Sequence, residues 1–429
     1  MYIVETSYEL AEFKEFISGK TSYWFPMWVD FELHPLNNSL SFIFVHCDGT
    51  DYVLSHNHID TLSIDFGGIY DVISTEGCKW VFQTKKLLNT LKMGNLGVYD
   101  IDTAYFLKTG NTIDYRTPFD SILYSWKSKG YQSNLIKSIP ILKLCELIQN
   151  IIPNYTNLDN SDYNFKWYND IYLPILSDIE RYGVRVDREK ISDRWPSSQK
   201  HITSDNILYT EYNPFTLTGR PSNRYGGINF SALNKSDGSR EGFISDGIFL
   251  QMDYDAYHPR LIGKLIGYPL PQTSVHRWLS EQYGCSYEES KGVTFQLLYG
   301  GIPDEFLSIP YFKAVKEWIE KLWVRTQRDG YLTTLKRRIP LDWIDSPNPQ
   351  KVFNYLLQAV ETELNVDRIR TILDTIRDTE VKLVLYVYDS FLFDYPLDYS
   401  TDIAKELKRI IEGGEFPIKA SWGVDYSKV

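Results

Sequence analysis

The sequence predicts an α/β half followed by an α+β half, and three observations lead there. Residues 24–33 (WFPMWVDFEL) and 40–46 (LSFIFVH) are short runs of apolar, aromatic and β-branched residues, and DGTDYVLS after them reads as a hairpin return. From there to about Asn150 helical and strand patterns alternate, the pattern of an α/β layer structure. Near the C-terminus, KLVLYVYDSFLFDYP reads as two adjoining apolar strands after a long run of helices, the pattern of an α+β layout.

The remaining elements follow in chain order. The polar stretch NYTNLDNSDYN (154–164) marks a boundary. A helix over roughly 166–182 ends at Gly183 in ERYGVRVD, where glycine supplies the stop and VRV resumes an extended run. The chain is then loop-rich from Trp195 to Arg240, and GIFLQMDY (247–254) reads as a strand. Helical patterns fill roughly 256–267, 274–301, 310–329 and 349–378. Asp389 sits at the tight connection of the two C-terminal apolar strands, and a helix at about 399–413 precedes a short last strand.

Bulk composition excludes several classes. At 429 residues, 43% apolar and 24% charged, the chain is long enough for two or three domains with cores of their own. A net charge of −11 argues against a non-specific, charge-driven nucleic-acid coat. It leaves room for a local basic surface, best offered by Lys313, Lys316, Lys321, Arg325, Arg328, Lys336, Arg337 and Arg338. The content of 32 Tyr and 11 Trp could offer base-stacking surfaces but more often means packing, so it decides nothing alone. Cys47, Cys78, Cys145 and Cys285 show no CxxC spacing, so neither a zinc site nor a disulfide framework is expected, and a reducing, cytoplasmic setting is. The amphipathic, acidic MYIVETSYELAEFKEF is no signal peptide, and no apolar run reaches transmembrane length, so no membrane partner is expected.

Two acids at strand ends carry the first chemical signal. Either Asp253 or Asp389 alone would be an ordinary turn former. Together they fit two-metal phosphoryl transfer, which needs carboxylates on rigid backbone with open positions left for phosphate oxygens. Between them Lys291, Phe295 and Tyr299 recur at i+4 on one helix face, a cation and two rings, followed by Gly300–Gly301. Such an aromatic stripe is more often a core pattern.

At these residues the chain resembles the family A (DNA polymerase I-like) DNA polymerases. MDYDAYHPR (252–260) looks like motif A, KGVTFQLLYGG (291–301) like motif B and LYVYDSFLFD (385–394) like motif C. YLPILSDIERYGVRVD (172–187), TLTGRPSNRYGGINFSALNK (216–235), LKRRIP (335–340) and the pair Asn354 and Gln358 fall in the family's order, so the resemblance spans roughly residues 170–429. It implies a right-hand fold of palm, fingers and a strongly reduced thumb. Asp253 and Asp389 would be the Mg²⁺ ligands, with the Tyr254 carbonyl. Lys291 and Phe295 would meet the incoming nucleotide, with Tyr299 near the templating pair. His276 resembles the histidine facing the triphosphate, a plain helix-surface position being the alternative. Arg220, Arg260, Asn354 and Gln358 would fall near primer-template or nucleotide, with a surface loop the alternative for Arg220. Three positions depart from the family's pattern. His258 replaces the glutamate that blocks a ribose 2′-hydroxyl, leaving sugar selectivity open. Tyr287 replaces a triphosphate-binding arginine. Ser390 replaces an acid after Asp389; a surface strand-end acid is the reading preferred for Asp394, with a partial stand-in for that acid the alternative.

The N-terminal half resembles DEDD-type 3′–5′ exonucleases on a ribonuclease H-like fold. Asp30 and Glu32 would share a strand face at i and i+2. Asp100 in NLGVYD or Asp120 in TPFDSIL would supply the second motif, Asp100 being preferred with Asp120 packed beside it, and Tyr155 to Asp159 has the spacing of the third but lies in a polar loop. Active and decayed forms of that nuclease both remain open, and an active one would hold two further Mg²⁺ ions. The implied organisation is 1–165 exonuclease-like, 166–202 connecting helix and reduced thumb, 203–260 palm, 261–330 fingers and 331–429 palm. The function expected is template-directed DNA polymerisation on primer-template DNA with dNTPs, low in processivity unless an accessory factor helps. The alternatives are a ribonucleotide-tolerant or primase-like transferase and a non-catalytic nucleic-acid-binding relative. Size and shortened insertions imply a compact phage or viral enzyme acting in the host cytoplasm.

Overall fold

The computed structural model describes residues 1–129, 135–398 and 400–429. The chain forms two compact units. The first is Met1–Gly183 with Trp195–Glu211 and Tyr225–Gly227; the second is Val184–Arg194 with Tyr212–Arg224 and Ile228–Val429.

The first unit is built on six strands: β1 (Tyr2–Val4), β2 (Thr21–Trp28), β3 (Leu40–Cys47), β4 (Thr50–Ser55), β5 (Cys78–Val81) and β6 (Tyr99–Asp100). Their order is β1-β4-β3-β2-β5-β6. β2, β3 and β4 form an antiparallel meander, and β5 and β6 extend it parallel to β2. β3 is buried at every position but His46, which is why LSFIFVHC lacks the alternation of a half-exposed strand. Helices α1 (Ser7–Ile17), α2 (Phe66–Ile73) and α3 (Thr84–Leu91) accompany the sheet, and Phe13, Trp24, Ile43, Leu54, Ile69 and Val72 share one core. Each buried aliphatic side chain of this kind contributes roughly 1.5–3 kcal/mol. The start of α1 is written in the sequence: Thr6 accepts from the Glu9 N–H at 3.3 Å and Glu9 accepts from the Thr6 N–H at 3.0 Å, a reciprocal cap.

Two sequence expectations change here. The strand expected over 24–33 ends at Trp28, because the Asp30 carboxylate accepts from the Glu32 N–H at 2.8 Å and turns the chain. Asp30 and Glu32 are therefore not partners on one strand face. The second change concerns the boundary, expected after 165. Helix α4 (Leu173–Glu180) belongs to the first unit, since buried Glu180 accepts from Asn89 of α3 at 2.7 Å and from Lys85, and Ser177 donates to Asn89 at 2.7 Å. The division falls at Gly183, and the expected 166–202 segment is shared between the units.

The second unit centres on a four-stranded antiparallel sheet. Its strands are β7 (Ile244–Tyr254), β8 (Lys382–Val387), β9 (Ser390–Tyr395) and β10 (Ile418–Asp425), in the order β8-β9-β7-β10. Helices α5 (Tyr257–Ile266), α6 (Val275–Tyr283), α7 (Tyr287–Gly300), α8 (Pro310–Asp329), α9 (Pro349–Ile376) and α10 (Thr401–Glu412) complete it. The single helix expected over 274–301 is two. Gly284, at φ +67°, ends α6, and Ser286 with Glu289 caps α7 reciprocally. α8 matches its expected span, with Pro310 at its first turn and Gly330 just past its end.

A buried ion pair joins two of the sequence blocks. Glu363 of α9 accepts from Arg337 Nε at 2.8 Å and from the N–H groups of Leu335 and Lys336 at 2.9 and 3.1 Å. Arg337 Nη2 donates to the Thr218 carbonyl at 2.6 Å. Gly219 lies against that guanidinium at φ +70°, where a Cβ would sit 2.3 Å from Arg337 Nη1, so no larger residue fits between. Arg337 is thereby withdrawn from the basic surface expected over 313–338. No helix among the described residues is long and apolar enough to cross a membrane.

Candidate active site

Asp253 is the penultimate residue of β7, the second strand from one edge of the sheet, with Ser390 of β9 opposite it on one side and Lys419 of β10 on the other. Tyr388 and Asp389 form the two-residue turn between β8 and β9. Tyr388 adopts φ +60°, a left-handed conformation that bulky residues rarely accept. Asn365 helps hold it by donating to the Tyr388 carbonyl at 2.8 Å. The Tyr254 N–H donates to the Asp389 carbonyl at 3.3 Å, so the two acids stand on hydrogen-bonded backbone. Gln251 Nε2 donates to Asp253 at 2.5 Å. Burial, then the charges of Glu361 and Asp253, push the Asp389 carboxyl up to about 6.

A cavity of about 480 Å³ opens beside Asp389, lined by residues from α5, α6, α7, α9 and β10. Lys291, Phe295 and Tyr299 of α7 share one wall, with the two rings stacked at 5.8 Å and 12°. Lys291 lies over the Tyr287 ring at 4.3 Å and pairs with Glu288 at 3.2 Å. Phe295 is half exposed, as a stacking platform must be and a core residue would not be. His276 also lines the cavity, buried, with Nδ1 lacking a hydrogen-bond partner. Burial lowers its basicity further.

One network at the cavity was not legible in the sequence motifs. Glu361 of α9 is fully buried and accepts from Arg220 at 3.2 Å and from His258 Nε2 at 2.9 Å, while His258 Nδ1 bonds the Tyr299 hydroxyl. Arg220 also stacks on the Tyr388 ring, 3.6 Å from its centroid, so the surface-loop alternative for this residue does not hold. Asn354 donates to the Tyr299 carbonyl at 3.2 Å, and Gln358 lies one turn further along α9, half-buried. Glu361 follows at i+3 from Gln358 and i+7 from Asn354, so the helical spacing was available as a signal. Lys419 and Asp255 carried no such signal: only strand register brings Lys419 opposite Asp253 and onto the Asp255 carboxylate.

Two expected placements are corrected. Arg260, expected near primer-template or nucleotide, is turned into the protein. Its guanidinium is buried and donates to the carbonyls of Asp255, Pro271 and Thr273 at 2.9, 3.0 and 2.8 Å, holding the loop before α6. Asp394 pairs across β7 with Phe249 and accepts from Ser245, four register positions from Asp253, so it cannot stand in beside Asp389.

The five acids expected to form an exonuclease site are spent locally. Asp30 closes its turn and Glu32 pairs with Lys200. Asp100 is buried at the N-cap of helix Ile101–Thr109, accepting from Thr103 and Thr84 N–H groups at 2.7 and 3.2 Å. Asp120 is exposed beside Arg116 at 3.6 Å, and Asp159 closes an exposed turn with Ser161 at 2.9 Å. Among the described residues no three His, Cys, Asp or Glu side chains gather as a metal-holding group.

No protein-family model matches the chain, and no curated protein matches it. Among solved structures it is similar to the POL domain of Pol1 from M. smegmatis, a structure in complex with DNA primer-template and dNTP. The TM-score is 0.71 at 14% sequence identity, and the match covers 100% of both chains. The chain therefore has the fold of a polymerase domain.

Proposed function

We propose that the chain is a template-directed DNA polymerase that adds dNMPs to a primer 3′-hydroxyl. The observation that carries this reading is Asp253 and Asp389 on adjoining strand ends, beside a cavity walled by a lysine and two stacked rings. The fold shared with a polymerase domain that binds primer-template and dNTP supports it. The family A reading rests on the seven ordered sequence blocks.

The donor set suits Mg²⁺. Carboxylate and carbonyl oxygens are the hard ligands this ion takes. Burial, then the crowded negative charge of Glu361 and Asp253, raise the pKa of Asp389, and a cation would relieve that charge. Asp253, Asp389 and the Tyr254 carbonyl would hold the ions, which when bound activate the primer hydroxyl and neutralise charge on the transferred phosphoryl group. Lys291 neutralises phosphate charge from the opposite wall. Phe295 and Tyr299 offer flat surfaces to the new base pair. His258, held between Tyr299 and Glu361, is the residue that the motif resemblance aligns with the one that would sense the sugar. Ribonucleotide tolerance is the second reading, and this histidine is what favours it. No hydrolytic step is assigned to the first unit.

The test is extension of a labelled primer on a DNA template with Mg²⁺, comparing dNTPs with rNTPs, with Asp389→Ala alongside. Template-directed extension with dNTPs, abolished in the variant, is expected. Equal extension with rNTPs would select the second reading. No extension by the wild type, with or without primer shortening, would overturn the proposal.

A further inference from the structure

We infer that Lys419, on the last strand, is a second cationic ligand for the triphosphate, sharing the nucleotide's phosphate tail with Lys291 and His276. The inference rests on the polymerase reading for the identity of the ligand, and on geometry for the existence of the site. Lys419 stands directly opposite Asp253 in the β7–β10 ladder, and residues paired in this way project from the same face of a sheet. Its side chain therefore emerges beside the strand end that carries the first acid. It lines the same cavity as Lys291, His276, Tyr287 and Asp389.

Within a lining that also holds the acids Asp255, Glu361 and Asp389, the unpartnered nitrogen of His276 near Lys291 and Lys419 points to an anion. His276 is 8% exposed with Nδ1 unpartnered, a buried polar atom that an oxygen ligand would satisfy. Lys291 by itself is a single cation already paired with Glu288. A nucleoside triphosphate brings about four negative charges, more than one such lysine balances. Tyr287, one turn before Lys291, adds no charge at that point of the wall.

Lys419 is free to move to a phosphate. Its side chain is 66% exposed, whereas its present partner Asp255 is 12% exposed. Asp255 keeps Arg260 at 3.5 Å when the lysine leaves, so the swing strands no buried carboxylate. The Asp255 N–H bond to the Pro417 carbonyl at 2.8 Å holds the strands together meanwhile.

The test measures binding of inorganic tripolyphosphate by calorimetry, and the KM for dNTP in single-nucleotide extension, on the full chain. Lys419→Ala should weaken tripolyphosphate binding and raise KM about tenfold each, as loss of one charged phosphate contact does. Lys419→Arg should retain both within about threefold. Asp255→Asn, which frees the lysine and removes a nearby negative charge, should shift both in the opposite direction. A lysine that merely braced Asp255 would make Lys419→Ala and Asp255→Asn behave alike, which would overturn the inference. So would tripolyphosphate binding unchanged in Lys419→Ala, or absent in the wild type. Binding that depends on Lys419 in a chain that extends no primer would sink the polymerase reading and leave the anion site standing.

Discussion

Replacing Glu361 by alanine removes the carboxylate that joins Arg220 to His258. In the native chain Glu361 is fully buried and accepts from these partners at 3.2 and 2.9 Å. Breaking a buried pair by deleting one member generally costs about 3–5 kcal/mol, because the other charge is left uncompensated. Two features place this pair near the lower bound. Arg220 keeps 24% of its side chain exposed, so water screens part of its charge. It also stays stacked on Tyr388, a contact worth roughly 0.5–1 kcal/mol at a partly exposed site. A loss of about 3 kcal/mol is therefore expected in urea unfolding of the second unit, with each transition fitted separately. The Arg220→Ala/Glu361→Ala double variant should recover part of it, with a coupling of about 1–3 kcal/mol. Primer extension should fall about tenfold or more in kcat/KM, since Arg220 and His258 lose their fixed places at the cavity. Stability within about 0.5 kcal/mol of wild type, with no coupling, would refute the premise that Glu361 and Arg220 stabilise the native state as a pair.

Two further outcomes concern stability. Glu363→Ala should destabilise the second unit by about 4 kcal/mol, because it strips the acceptor from Arg337 and from the Leu335 and Lys336 N–H groups. Glu363→Gln should lose clearly less, and a wild-type unfolding midpoint for the alanine variant would contradict the account. In the first unit, burial and then the charge of Asp100 push the Asp102 carboxyl up to about 7. Between its ordinary value near 4 and that value the unfolded chain has lost a proton that the folded chain retains, so stability falls as pH rises through this window. Asp102→Asn keeps an acceptor for the Gln83 N–H and the Tyr115 hydroxyl and should stabilise the unit at pH 8 but hardly at pH 4. Equal effects at both, read by thermal melts, would rule this out.

The local patterns that made the polymerase motifs legible were those in which one segment carries its own instructions. GIFLQMDY and KLVLYVYDSFLFDYP are strands because their apolar runs leave no alternative, and Asp389 is at the turn because only two residues separate them. Lys291, Phe295 and Tyr299 share a wall because helical spacing puts them there. Pro310 and Gly330 bracket α8 as the asymmetry of helix ends requires. Local reading failed where a side chain's partner was distant in sequence. Asp30 and Glu32 looked like strand partners, yet a turn bond from one to the other ends the strand. Asp100 had the look of a metal ligand and is a buried helix cap. Arg260 and Arg337 looked like phosphate contacts, but backbone carbonyls and a buried carboxylate draw them inward, since a buried guanidinium must satisfy its donors.

The sequence by itself determined most of the helices and strands of the second unit, though not the break at Gly284, and that two acids, a lysine and two rings fall on elements able to meet. Their periodicities are properties of a single segment and need no partner to be read. Only the tertiary structure decided which charges are spent on the fold and which are left for a ligand. Glu361 is tied to Arg220 and His258 across separations of 141 and 103 residues, and Lys419 reaches Asp253 through strand register alone. Charge is long-ranged and burial is collective, so the use of an ionisable side chain is settled by everything packed around it.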